Sequence, residues 1–84
     1  MREKIDTKNF TISGGALYDV ELVNLMSQAL SENNQYIYRV RVISSGWNDD
    51  YKQHWANSIK NINHWRNLNF DYDSANDEFV FMKR

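Results

Sequence analysis

Apolar residues recur with period two in four short segments and at helical spacing in two longer ones, and this alternation of periods constrains the fold more than any other feature of the chain. Lys8-Asn9-Phe10-Thr11-Ile12-Ser13 alternates, with Phe10 and Ile12 on one face, and predicts a strand ended by Gly14-Gly15. Tyr18, Leu22, Leu25, Met26, Ala29 and Leu30 then predict an amphipathic helix over 19–31. Asp19 is its expected N-cap, Glu21 suits the dipole of the first turn, and Asn33-Asn34 stops it. Tyr36–Ile43 is the clearest strand, with Tyr36, Tyr38, Val40 and Val42 on one face and Ile37, Arg39, Arg41 and Ile43 on the other.

A second helix is expected from Trp47 to about Trp65, capped by Asn48, with Asp49 and Asp50 in its first turn. Trp47, Tyr51, Trp55, Ser58, Ile59, Ile62 and Trp65 share one face of it, while Asp49, Lys52, Gln53, Asn57, Lys60 and His64 fall elsewhere. Asn67–Asp73 alternates strictly, Ser74-Ala75-Asn76-Asp77 is turn chemistry, and Glu78–Met82 returns with Phe79 and Phe81 inward. The order β-α-β-α-β-β over residues 1–84 predicts a single α+β domain. Right-handed crossovers make it a two-layer sandwich, a four-stranded mixed sheet with two helices on one face. The other face then exposes Ile37, Arg39, Arg41, Ile43, Asn69, Asp71, Asp73, Glu78, Val80 and Met82.

Composition narrows the chemistry. Without Cys, the 84 residues form no disulfide, thiolate zinc site or cysteine nucleophile. Ten Lys+Arg against eleven Asp+Glu leave a net charge of −1, unlike a heavily acidic duplex mimic or a strongly basic nucleic-acid coat. No apolar run approaches the roughly 20 residues of a membrane span, and Met1–Asp6 lacks the apolar stretch of a signal peptide, so a cytoplasmic location is expected. A chain this short needs a dense core or a partner that shares the work, and three Trp, five Tyr and four Phe supply large buried area per residue.

No phosphate-binding loop, dinucleotide fingerprint, HExxH or G-x-S-x-G is present. Gly14-Gly15 reads as a turn, and His54 and His64 are too far apart to share a metal within one helix. Asp49/Asp50 reads as helix N-terminal charge, and Asp71/Asp73 as the wet side of a strand. No enzyme, metal site or cofactor is expected. Arg39 and Arg41, with Arg2, Lys4, Lys8, Lys83 and Arg84, allow a nucleic-acid reading. It ranks second, because the strand aromatics point inward and Asp71 and Asp73 repel phosphate.

The tryptophan-bearing helix leads instead to a protein partner. Nineteen residues of helix span about 28 Å, more than strands of about 17–20 Å cover, so one end of its aromatic stripe should protrude. Exposed Trp, Tyr and Arg are typical binding hot spots. The expected partner-binding set is Trp47, Asn48, Asp49, Asp50, Tyr51 and His54, with Asn57 and Asn61 in the rim and Arg39 and Arg41 setting orientation by charge. The apolar outward residues Ile37, Ile43, Val80 and Met82 are a second candidate surface. A homodimer seam is a third reading of the exposed area.

Gly46-Trp47-Asn48-Asp49-Asp50-Tyr51 resembles a Gly-Trp-Asn-acidic-Tyr segment of small phage-encoded anti-CRISPR proteins, a likeness confined to these six residues. The resemblance implies a small inhibitor that occupies a working surface of a host-defence nuclease complex. The acidic patch of such proteins has a counterpart here in Asp49, Asp50, Asp71, Asp73 and Asp77.

Overall fold

The computed structural model describes residues 5–13, 18–43, 46–62 and 65–84. The elements are β1 (Asp6–Ser13), α1 (Tyr18–Ser31), β2 (Tyr36–Ile43), α2 (Asp49–Lys60), β3 (Leu68–Asp73) and β4 (Glu78–Lys83). This is the expected β-α-β-α-β-β order, in an α+β fold with one mixed sheet of strand order β1-β2-β4-β3. β1 runs parallel to β2, and β4 runs antiparallel to both β2 and β3. β2 and β3 are therefore parallel, with β4 inserted between them. Each parallel connection carries one helix, and the β3–β4 hairpin closes the sheet.

The two-residue period decides which side is buried. Register sets Tyr38 beside Phe81 and Val40 beside Phe79, then Phe81 beside Phe70 and Phe79 beside Tyr72. These residues are buried in one cluster with Ile12, Val42, Leu22, Met26 and Ala29, and with Ala56 and Ile59 of α2. Both helices thus cover the same face. The ten residues expected on the opposite face are all at least partly exposed.

Within the core the rings form a row. Phe10 lies 5.5 Å from Tyr38, Tyr38 5.1 Å from Phe81, Phe81 5.6 Å from Phe70, Phe70 5.9 Å from Phe79, and Phe79 5.2 Å from Tyr72. Such ring pairs add about 0.5–1.5 kcal/mol each beyond their buried area. Where the row passes under Tyr38, its hydroxyl donates to Glu32 Oε1 at 3.0 Å, and Lys8 Nζ donates to the same oxygen at 2.8 Å.

α1 starts at Tyr18, so Asp19 lies in its first turn, with its carboxylate accepting from Val20 N, and does not cap it. The Gly14-Gly15 turn, Arg2, Lys4 and His64 fall outside the described residues. The larger correction concerns α2. It spans 12 residues, not the stretch from Trp47 to Trp65, and ends at Asn61, whose N–H donates to Ser58 and Ile59 carbonyls. Tight i→i+3 bonds, Ile62 N to Ile59 O and Trp65 N to Ile62 O, then turn the chain and bring Trp65 into the core at 6% exposure. Trp47 precedes the cap, so Trp55 is the one tryptophan within α2. Twelve helical residues measure about 18 Å, a match for the sheet, and the expected overhang does not exist.

No helix among the described residues is long and apolar enough to cross a membrane. The one-sided core predicts a sharp contrast between faces. Phe81→Ala should lower unfolding free energy in urea by about 3–5 kcal/mol. Ile43→Ser, on the open face, should change it by no more than about 0.5 kcal/mol.

Candidate functional site

The residues expected to bind a partner meet where β2 ends and α2 begins. Asn48 takes an extended backbone (φ −83°, ψ 175°), and its side-chain oxygen accepts from Tyr51 N at 2.8 Å, as an N-cap should. The cap holds Trp47 just outside the helix, where its ring lies 4.4 Å from Tyr51 and 5.8 Å from Trp55. Trp55 in turn meets Phe70 and Phe79 edge-on at 5.9 and 5.6 Å. An aromatic path therefore runs from the core through half-buried Trp55 and Trp47 to Tyr51, which is 49% exposed. Asp49, Asp50 and His54 are exposed beside it.

The inward face of α2 differs from the expected one by roughly one residue, or about 100° of rotation. Lys52, Ala56 and Ile59 are buried, whereas Tyr51, Ser58 and Ile62 are exposed. Lys52 explains the rotation. Its stem lies in the core at 5% exposure, and its ammonium finds Asp77 Oδ1 at 2.6 Å and the Tyr72 ring at 5.8 Å. A buried amine with a carboxylate partner is tolerated where an unpaired one is not. Asp77 reaches this position because the hairpin turn holds it in the left-handed region, φ 54°. That turn is organised by Asp73, whose carboxylate accepts from Ala75 N, Asn76 N and Asn76 Nδ2.

Tyr72 completes the cluster. Its hydroxyl lies 2.6 Å from Asp77 Oδ1 and 2.9 Å from Asp49 Oδ1. One hydroxyl proton serves one carboxylate at a time, so Tyr72 bridges the helix start and the hairpin. Burial, then Asp77, then Asp49 push the ionisation of Tyr72 far above the usual tyrosine range. The Lys52 and Tyr72 hydrogen bonds hold Asp77 below its usual value.

Above this cluster lies a cleft of about 620 Å³ lined by Arg41, Ile43, Gly46, Trp47, Lys52 and Asp77. Arg41 Nη2 donates to the Asn76 carbonyl at 3.2 Å across its floor. The structure thus brings Arg41 and Trp47 to one cleft, next to the start of α2 that carries Asn48, Asp49, Asp50 and Tyr51. It does not bring Arg39, which lies between Asp73 (3.6 Å) and Glu78 (3.5 Å) on the open face. Lys52, Tyr72 and Asp77 went unrecognised as a unit in the sequence. The turn at Asn76-Asp77 is legible there, but no local spacing links it to position 52. Among the described residues, no group of three His, Cys, Asp or Glu is placed to hold a metal ion.

Comparison with protein-family models, with curated proteins and with solved structures finds no match to this chain.

The cluster should make stability fall at both ends of the pH scale. The depressed Asp77 value stabilises the fold above the unfolded carboxylate range, and that contribution is lost as pH drops below about 4. The raised Tyr72 value stabilises the fold below the unfolded tyrosine range, and that contribution is lost as pH rises past about 10. Urea midpoints measured from pH 3 to 11 should show a shallower acid limb for Lys52→Met. For Tyr72→Phe the alkaline limb should be shallower, the remainder reflecting Tyr38, which burial and Glu32 also raise.

Proposed function

We infer that this chain is a small non-enzymatic protein-binding module, a stoichiometric inhibitor of the phage or mobile-element type that blocks its target sterically. The observation that carries this reading is the exposed Tyr51 ring, backed by Trp47 at the mouth of a cleft that carries charges of both signs. A rigid aromatic anchor held by a helix cap loses little conformational freedom on docking. Ile43, 48% exposed, adds apolar area to the same rim. Asp49, Asp50 and Arg41 supply charges that select the orientation of a partner, with His54 at the border.

The local likeness of Gly46–Tyr51 to anti-CRISPR proteins supports a nuclease complex of host defence as the class of target. Nucleic acid is the weaker reading. Arg39 faces Asp73 and Glu78, and Arg41 is engaged with a backbone carbonyl, so neither cation is left wholly to phosphate.

Affinity capture from bacterial lysate, followed by reconstitution with the purified partner, tests this assignment. Tyr51→Ala should weaken binding by about 30-fold or more, the size of a hot-spot loss of about 2 kcal/mol. Its circular dichroism and urea midpoint should stay at the wild-type values, because the ring is half exposed. Unchanged affinity in this folded variant would reject the assignment. So would retention on DNA or RNA that weakens steeply with salt while no protein is captured.

A further inference from the structure

The two edges of the sheet are finished differently. At the β3 edge, Lys60 of α2 reaches around the strand to Asp71 on the opposite face, Nζ to Oδ1 3.3 Å. A lysine wrapped over an edge strand is a common device against strand pairing. At the β1 edge, among the described residues, no side chain wraps over the strand from outside, and its one lysine, Lys8, is engaged on the inward face. β1 is eight residues long and pairs with β2 alone, and among the described residues no group bonds to its outer backbone. Its inward charge, Lys8, is turned toward the sheet interior, to Glu32 and over the Tyr36 ring at 4.1 Å.

The same edge is also where the row of rings stops. Phe10 is half-buried, stacked on Tyr38, and borders a groove of about 310 Å³ lined by Thr11, Ile12, Leu25 and Gln28 among others.

We propose that β1 is a homodimer seam, in which two copies pair antiparallel about a two-fold axis at Phe10 and join their sheets into one of eight strands. This register sets Phe10 against Phe10 on the helix-bearing face, so the row of rings continues into the second copy. Lys8 then faces Ile12 on that side, while Asn9 faces Thr11 and Thr7 faces Ser13 on the open side. No like charges oppose each other, and every pair matches in polarity except Lys8–Ile12, where the lysine stem supplies apolar contact. A seam about 27 Å long and about 20 Å deep, a sheet plus a helix layer, covers on the order of 1,000 Å² over both copies. That meets the lower bound for a specific interface and points to a reversible dimer.

Sedimentation equilibrium of the full chain from 1 to 500 µM tests the seam. The mass should rise from 10.0 kDa toward twice that value with concentration. The double variant Asn9→Asp/Thr11→Asp places four carboxylates at the seam and should stay monomeric with an unchanged circular dichroism spectrum. Mixing it with an equal amount of Asn9→Lys/Thr11→Lys should restore the dimer. A wild-type chain that is monomeric throughout overturns the proposal and leaves the edge to a strand of another protein. A dimer that persists in the carboxylate variant overturns it too, since the seam then lies elsewhere. Tyr51→Ala should dimerise normally, which separates this seam from the partner-binding surface.

Discussion

A single row of aromatic rings sets what the rest of the structure must do. It crosses the sheet on one face, from Phe10 at the β1 edge through Tyr38, Phe81, Phe70 and Phe79 to Tyr72. Six rings in a chain of 84 residues are a large apolar payload, and they can be kept from water only if both helices lie on that face. Two of these rings are tyrosines, and each is anchored in the same way. Tyr38 donates to Glu32, which also holds Lys8, and Tyr72 lies against Asp77, which also holds Lys52. Two lysine–carboxylate–tyrosine groups thus bound the core where it would otherwise open to water.

Most of this layout is legible in the residues because period and polarity agree over long stretches. Tyr38–Val42 alternates apolar and charged residues, and Phe79 and Phe81 fall in phase with Phe70 and Tyr72 across a hairpin whose turn chemistry is plain. The helix over α2 is where local reading failed, for a definable reason. Helical spacing of Trp47, Tyr51, Trp55, Ile62 and Trp65 invites a single long stripe. The chain instead leaves the helix at Asn61 and tightens, so Trp65 enters the core from a turn. Helical spacing sets Lys52 off the aromatic stripe, where a lysine ordinarily meets water. It is buried instead because Asp77, 25 residues away, meets the ammonium at the end of its stem. A long-range ion pair leaves no periodic trace.

The site was legible to a similar extent. The cap at Asn48 and the charges of the first turn follow from local rules, and they correctly placed Trp47 and Tyr51 at one end of α2. That Arg41 joins them while Arg39 does not depends on strand geometry. Both arginines lie on the open face two residues apart; Arg39 meets Asp73 and Glu78 at the base of the hairpin, whereas Arg41, nearer the end of β2, reaches the Asn76 carbonyl and the cleft beside Trp47. The expectation of an exposed aromatic surface survives on a different basis. The helix is no longer than the sheet, so there is no overhang. Tyr51 is exposed because the inward face of α2 is centred on Lys52, Ala56 and Ile59, which rotates Tyr51 to the rim.

The two surfaces left unfinished by the core are the outer edge of β1 and the region where β2 ends and α2 begins. α2 packs over β3, at the far end of the order β1-β2-β4-β3 from the β1 edge. Pairing through β1 would place two Tyr51 surfaces on one dimer, related by the two-fold axis. A target with two copies of a binding surface, or two targets held close together, would meet such a dimer with an effective concentration that a monomer lacks. The geometry matters for a chain of this size, because one aromatic anchor on a small rim gives limited affinity alone. Joining two sheets along one edge enlarges the shared core and doubles the docking surface in a single step.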